Sequence, residues 1–407
     1  MIKKIIYSLA IISLCITLTV TVIAYGKGYR FNSGQKSIST TGILSANSSP
    51  DAASIWIDNK LNSATNGSIS LSPGWYDLRI AKEGYQAWEK RIRIQGEVVT
   101  KVDALLIPNN PSLRTLTGSG VSSPVLSPTG SKIAYIVPFE ASGPSNLKSK
   151  IGIWIFDLKS GPLGRTNEPK QVFKPSEKLD WTNSELLWSP DEKQLVLAIK
   201  NRENKFEKVI YALQISLDNS SILPLLVTSN LESILADWDL AKNQIQDQIM
   251  APLPTQLSDF LKNSANNIQF SADNNKIFYL ATSSASLSPI ITPALIGSNP
   301  TQETRNITTG KYYVYDIKED KNFYITTQKK GKGLYSPLWY YDSKHLLMIE
   351  NSSINIIDYD GTNQKIIYSG PFVDNIVYPW NSSGKIAILT NLNQPKALPN
   401  LYEIDLR

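Results

Sequence analysis

The chain has 407 residues, a formal charge of +6, one cysteine and one histidine. A single thiol excludes disulfides and thiolate metal sites from the folded part, and a single imidazole gives transition-metal centres little support. Stability must come from packing, which a chain of this length can supply.

Ile5–Tyr25, IIYSLAIISLCITLTVTVIAY, is a run of 21 uncharged residues. At about 1.5 Å per helical residue it covers a hydrocarbon core of about 30 Å, so it predicts a transmembrane helix. Lys3 and Lys4 precede it and Lys27 and Arg30 follow, a charge balance that favours a cytoplasmic amino terminus only slightly. The rival reading is a cleaved signal peptide, with Val22 and Ala24 in the cleavage pocket; against it, the apolar region of such peptides normally runs about 7–15 residues. Cys15 follows Leu14 rather than a small residue, so it does not fit a lipoprotein acceptor and reads as an apolar membrane residue. Residues 1–25 are thus expected to be an uncleaved signal anchor, and the polar stretch 26–40, GKGYRFNSGQKSIST, a linker.

From Thr41 to Pro108 strands and turns alternate. TGILSANSSPDAASIWIDNKL gives strand, turn and strand; ISLSPGWYDLRIAKEGYQAWEKRIRI adds a Pro-Gly turn, the alternating strand Trp75 to Ala81, a turn at Gly84 and another strand; VVTKVDALLIP closes the sheet. This predicts a small all-β sandwich over 41–108. The segment closely resembles the PEGA domain. Pro50-Asp51-Ala52-Ala53 stands where that family has its Pro-Glu-Gly-Ala turn, and PGWYDL and KEGYQAW match its other elements. Asp51 and Ala52 depart from the family's Glu and Gly, so this turn must be made without glycine. The resemblance implies a location at a bacterial or archaeal cell surface, and no chemistry.

The remainder, 109–407, is built from copies of one unit. Trp188 and Leu195 in LLWSPDEKQLVLAIK lie seven residues apart, and the same offset links Leu126 to Ile133, Phe270 to Ile277, Trp339 to Leu346 and Pro379 to Ile386. A weaker sixth copy runs from Trp238 to Ile245. After a variable gap most copies continue into an apolar run that ends on an Asp or a polar residue, as in IGIWIFDLKSG, YYVYDIKED and LYEIDLR. Proline, Asp, Asn and Gly make the tight turn. A repeated antiparallel unit that cannot bury its faces alone, recurring every ~40–50 residues, predicts a β-propeller; a stretched β-sandwich is the alternative. LYEIDL ends one residue before Arg407, so the last blade lacks an outer strand, and Ser112–Gly118 is expected to supply it and close the ring. The repeats resemble propellers of the TolB type, related to WD-repeat propellers but without their Trp-Asp ending. The expected architecture is all-β: an N-terminal transmembrane helix, a small PEGA-like β-sandwich and a propeller of about six blades, between five and seven. LPTQLSDFLKNSANN, with Leu253, Leu257, Phe260 and Leu261 at helical spacing, predicts one short inserted helix.

Chemistry is sparse. His345 shows no nucleophile and acid in its sequence setting, and reads as the residue that starts a strand at a hairpin turn. Asp358 to Asn363, DYDGTN, echoes the start of a calcium loop, but Ser369 stands where the bidentate acid belongs, so the stretch reads as a turn between third and fourth strands. No cofactor, metal site or catalytic residue is expected, and nucleic acid is not an expected partner. Five long connections (138–150, 200–208, 281–311, 328–336, 390–400) should share one face of the ring; they hold twelve Lys and Arg against four Glu. Arg202, Lys205, Lys329, Lys330 and Lys332 are the expected ligand-binding residues on that face, which suits an envelope protein or an anionic wall polymer. The expected protein is non-catalytic, single-pass in the cell membrane, with an extracytoplasmic binding or scaffolding role. The alternative is an envelope carbohydrate-active enzyme with carboxylates in the propeller channel.

Overall fold

The structure is a computed structural model that describes residues 2–26, 29–32, 37–138, 150–159, 168–174, 184–200, 206–215, 225–328, 336–380, 384–394 and 397–406. Helix α1 (Ile2–Gly26) is long and apolar enough to cross a membrane, and its side chains from Ile6 onward are almost all exposed. Its threonines do not spoil that surface: the hydroxyls of Thr17, Thr19 and Thr21 each donate to the carbonyl four residues back, at 2.8 Å. The linker is not a simple tether. Tyr29–Asn32 pairs antiparallel with Ser37–Thr40, placing Tyr29 opposite Thr40.

Two sheets follow. Val99–Leu105, Gly42–Ser49 and Gly67–Leu71 form one; Lys60–Ala64, Ser54–Ile57, Gly74–Ala81 and Trp88–Ile94 form the other. Alternation decides the packing: every second residue of Gly42–Ser49 and of Val99–Leu105 is buried. Leu44, Ile55, Leu78, Ile80 and Ile92, all at most 2% exposed, meet between the sheets. The Pro50 turn is made without glycine because Ala52 itself takes the left-handed conformation, φ 57°.

Beyond this sandwich, the described residues contain five sheets of blade form. Four have four strands: Ser122–Leu126 through Lys170–Phe173, Ala265–Phe270 through Lys321–Thr327, Leu338–Trp339 through Lys365–Tyr368, and Val377–Pro379 through Asn400–Asp405 completed by Ser112–Thr115. The second in chain order, Ser184–Trp188, Gln194–Lys200 and Phe206–Gln214, shows three. The outer strand of the last blade is the one expected, with Leu113 opposite Ile404. Register explains the offset of seven. Leu126 and Ile133, Trp188 and Leu195, Phe270 and Ile277, Trp339 and Leu346, and Pro379 and Ile386 are directly opposed residues across the first hairpin of each blade. Inside each of these turns a position has positive φ, filled by Gly130, Glu192, Asn274, Ser343 and Gly384; the requirement is conformational, glycine meets it without steric cost, and the other three residues accept the left-handed conformation there. The repeated serine is functional in the turn: Ser127, Ser189 and Ser271 are buried, and their hydroxyls accept from the backbone N–H of Lys132, Gln194 and Lys276.

The repeated aromatic clasps neighbouring blades. Trp188 donates its indole N–H to the Val125 carbonyl of the preceding blade (3.3 Å), Trp339 does so to Gln269 (3.1 Å), and the Tyr378 hydroxyl reaches Pro124 (2.7 Å). Apolar clusters then join blade one to two, three to four, four to five and five back to one. Between blades two and three stand helices instead. Helix α2 (Leu231–Met250) lays Leu231, Ile234, Leu235 and Trp238 on blade two, while α3 (Thr255–Ser264) and Met250 pack on blade three. The Trp238 copy of the repeat is therefore a helix, not a hairpin. Its apolar spacing at 231, 234, 235 and 238 is helical, and the stretch lacks the Ser-Pro that starts the turn in stronger copies. The short helix expected from LPTQLSDFLKNSANN is α3.

Candidate functional site

Each blade has its first-to-second and third-to-fourth connections on one face of the ring, here called the turn face. A charge pattern recurs there. The residue that opens the second strand lies opposite the Asp that closes the third: Lys132 opposite Asp157, Lys276 opposite Asp316, His345 opposite Asp358, and Lys385 opposite Asp405. The only histidine thus stands where other blades put lysine. Its ring is buried, with Nδ1 2.6 Å from Asp342 Oδ2 and Nε2 3.1 Å from Asp358 Oδ1. Burial alone would lower the imidazole pKa, but the charges and bonds of Asp342 and Asp358 outweigh it and raise it to about 10. Burial likewise pushes the Asp342 carboxyl up, and the His345 charge with two backbone N–H donors holds it below the usual range. With a carboxylate oxygen facing each ring nitrogen, the pocket favours the protonated imidazole.

The same face receives the sandwich. Asp358 Oδ2 accepts from the Trp88 indole N–H at 3.1 Å, Asn363 Oδ1 from the backbone N–H of Glu89 at 3.0 Å, and Lys344 pairs with Asp103 at 2.6 Å. Lys90 donates to Asp360, whose side chain is fully buried and also accepts from Asn299 (2.6 Å), Thr301 (2.8 Å) and Thr362 (2.6 Å). Burial opposes ionisation of Asp360, yet the Lys90 charge and these donors depress its pKa to about 2. DYDGTN is therefore a turn between third and fourth strands, as read from sequence, and it is also the seat of the sandwich. Among the described residues no group of three or more His, Cys, Asp or Glu side chains could hold a metal ion.

Between the sandwich edge and the turns lies a cleft of about 410 Å³, lined among others by Lys101, Lys276, Asp316, Glu319 and Tyr359. Burial, with the charge of Asp316 adding to it, raises the pKa of Glu319, whose carboxylate accepts from the backbone N–H of Asn299 at 2.8 Å. Lys276 lies 4.6 Å from the Tyr359 ring centre and 3.8 Å from Asp316, so the cleft wall is already charge-paired.

The connection 281–311 departs from the expected placement. It leaves its strand on the opposite face, but Asp320 Oδ2 accepts from the N–H groups of Ile290 and Ile291, and Asn299 and Thr301 bond Asp360. Its tip is thereby drawn across to the turn face by buried carboxylates. Arg305, counted as part of a basic rim, is instead paired with Glu303 at 2.8 Å and Asp320 at 3.1 Å. Lys311 sits 5.3 Å from the Tyr324 ring centre. The five expected binding residues, Arg202, Lys205, Lys329, Lys330 and Lys332, lie outside the described residues. Sequence reasoning missed Lys90, Asp103, Asp358 and Asp360 as docking residues. Its usable signal was the Asp that ends successive third strands.

The fold defines a class: an apolar N-terminal helix, a β-sandwich, and a β-propeller seated against it. Residues 41–110 match the PEGA domain family, so the sandwich is a PEGA domain. No curated protein is similar enough in sequence to count as a match. Among solved structures, the chain is similar to a putative TolB from Agrobacterium tumefaciens (12% identity, 81% of this chain and 89% of that one, TM-score 0.19). It is similar also to an auxiliary nutrient binding protein from Bacteroides thetaiotaomicron (9%, 88% and 82%, TM-score 0.21) and an oligogalacturonate lyase from Vibrio parahaemolyticus (7%, 81% and 74%, TM-score 0.21). At such scores these likenesses add nothing to the ring read from its own sheets.

Proposed function

We propose that the chain is a membrane-anchored, extracytoplasmic scaffold or binding protein of the cell envelope that acts without catalysis. The observation that carries this reading is the seating of the PEGA domain on the turn face through Trp88, Lys90 and Asp103. That contact takes up blade four and the loop at Gly297 on one face of the ring, which leaves the opposite face for a partner. Helix α1 supports the anchor, because its exposed apolar surface suits lipid better than water. Anionic wall polymer or an acidic envelope protein is the proposed partner, held by Arg202, Lys205, Lys329, Lys330 and Lys332 through long-range attraction. The catalytic alternative asks for carboxylates converging on the channel. Among the described innermost strands the only acid is Glu185, which supports binding over hydrolysis. Reversing Lys329, Lys330 and Lys332 to Glu should weaken retention of the full chain on purified envelope material and flatten its salt dependence. Retention unchanged by the reversal and by salt across about 0.05–0.5 M would overturn the electrostatic partner.

A further inference from the structure

We propose that the end of the PEGA domain nearest α1 docks on an anionic lipid surface, with the loop tip Leu295–Ile296 as an apolar wedge and Trp75, Arg91 and Arg93 as headgroup contacts. The proposal rests on α1 being the anchor. Three separate parts of the chain converge on the turn at Gln95–Val98. First, Tyr29 lies three residues after the end of α1, opposite Thr40, and its hydroxyl donates to Glu97 at 2.8 Å. Three residues span at most about 10 Å, so the linker hairpin holds this turn close to the end of the helix instead of letting it wander. Second, Gly297 donates its N–H to Gln95 Oε1 at 2.7 Å, and the two residues before it are Leu295 and Ile296, 45% and 77% exposed. Third, Trp75 lies opposite Arg93, two residues from Gln95, on the outer face of the four-stranded sheet, with its indole 50% exposed. The guanidinium groups of Arg91 and Arg93 lie over its ring, 5.9 and 6.0 Å from the ring centre, so the indole and the two cations form one exposed cluster. The ion pair of Arg91 with Asp77 is long and exposed, 3.8 Å.

An exposed aliphatic residue is ordinary by itself. Here the pair stands at the tip of a loop pinned on one side by Asp320 and on the other by Glu319 and Asp360, so the structure presents it rigidly. Tryptophan favours the bilayer interface, and arginine next to it meets lipid phosphate. With Trp75, Leu295 and Ile296 all exposed, this combination has its natural complement in the membrane that α1 enters.

The test uses the full chain with Cys15→Ser and either Ile296→Cys or, as a control on the opposite face, the exposed Leu392→Cys, each carrying an environment-sensitive fluorophore. The chains are reconstituted in phosphatidylcholine nanodiscs with and without phosphatidylglycerol. The expected result is blue-shifted emission at 296 that headgroup-level spin-labelled lipid quenches, stronger in anionic discs, lost with Arg91→Gln/Arg93→Gln, and absent at 392. Emission at 296 matching 392 overturns the proposal, and a response equal in both lipids overturns its charge component. A response only to added polygalacturonate, or one that grows with protein concentration, would overturn it in favour of a glycan or a second copy. Failure of the chain to resist carbonate extraction would instead overturn the anchor reading.

Discussion

His345 offers the sharpest check on the electrostatics of the ring. Replacing it with Gln leaves Asp342 and Asp358 facing each other's field with no cation between them, whereas His345→Lys puts back a cation at the register position that Lys132, Lys276 and Lys385 hold in other blades. The shift from 6.5 to about 10 corresponds to about 5 kcal/mol, and loss of one member of a buried pair costs about 3–5 kcal/mol. For a ring of about 300 residues the unfolding entropy is about 0.6 kcal/mol/K, so His345→Gln should lower Tm by about 5–8 °C at neutral pH. The folded pKa lies above the unfolded one. The stabilisation is therefore complete below pH 6.5, is lost as pH rises through about 10, and the gap between wild type and His345→Gln should close over that window. His345→Lys should keep most of its stability there. Because the chain has one histidine, its imidazole resonances need no assignment, and NMR should find an imidazolium at pH 8. A folded-state titration near 6.5, or a Tm gap that stays constant from pH 6 to 10, would refute the reasoning.

Lys90→Ala should free the PEGA domain from the turn face, at a cost near the lower end of about 3–5 kcal/mol because Asn299, Thr301 and Thr362 still serve Asp360. The sign of the Asp360 shift adds a pH signature: a folded pKa of about 2, below 3.8, gives stabilisation present above pH 4 and lost as pH falls toward 2. Protease cleavage near Asn109 and Asn110 should thus accelerate in acid for the wild type, and already at neutral pH for Lys90→Ala. Replacing Ser112–Thr115 with four glycines should expose Asn400–Asp405 as an open edge; amide exchange of 402–405 should become several-fold faster, and unchanged protection would refute closure by this strand.

The repeats were legible because their geometry is local. A turn of fixed length between opposed residues leaves an offset of seven wherever it occurs, and the serine and proline that build it are adjacent in sequence. Closure was legible for the same reason, since an absent fourth strand at one end and an unpartnered strand at the other are facts about order alone. The Trp238 copy misled because offset without the turn-forming serine carries little: Trp238 and Ile245 are also seven apart on a helix, two turns on one face.

The docking residues were hidden because what selects them is three-dimensional. Asp358 and Asp360 sit in a turn whose composition, Asp, Gly, Thr and Asn, is sufficient to explain the turn itself, so nothing local demands a second role. Only the fold brings Lys90, some 270 residues away, to the carboxylate, and only burial converts that meeting from a weak surface contact into one worth several kcal/mol. The same logic misplaced the connection 281–311. Counting Arg305 as a free cation assumed a solvated loop, whereas Asp320 gathers Arg305, Ile290 and Ile291 around one buried carboxylate and carries the loop across the blade. A charge census of loops therefore measures a binding face only where the loops lack carboxylate partners beneath them. In this chain blade three supplies those partners through Glu319 and Asp320 and blade four through Asp360, in the turn on which the PEGA domain is seated.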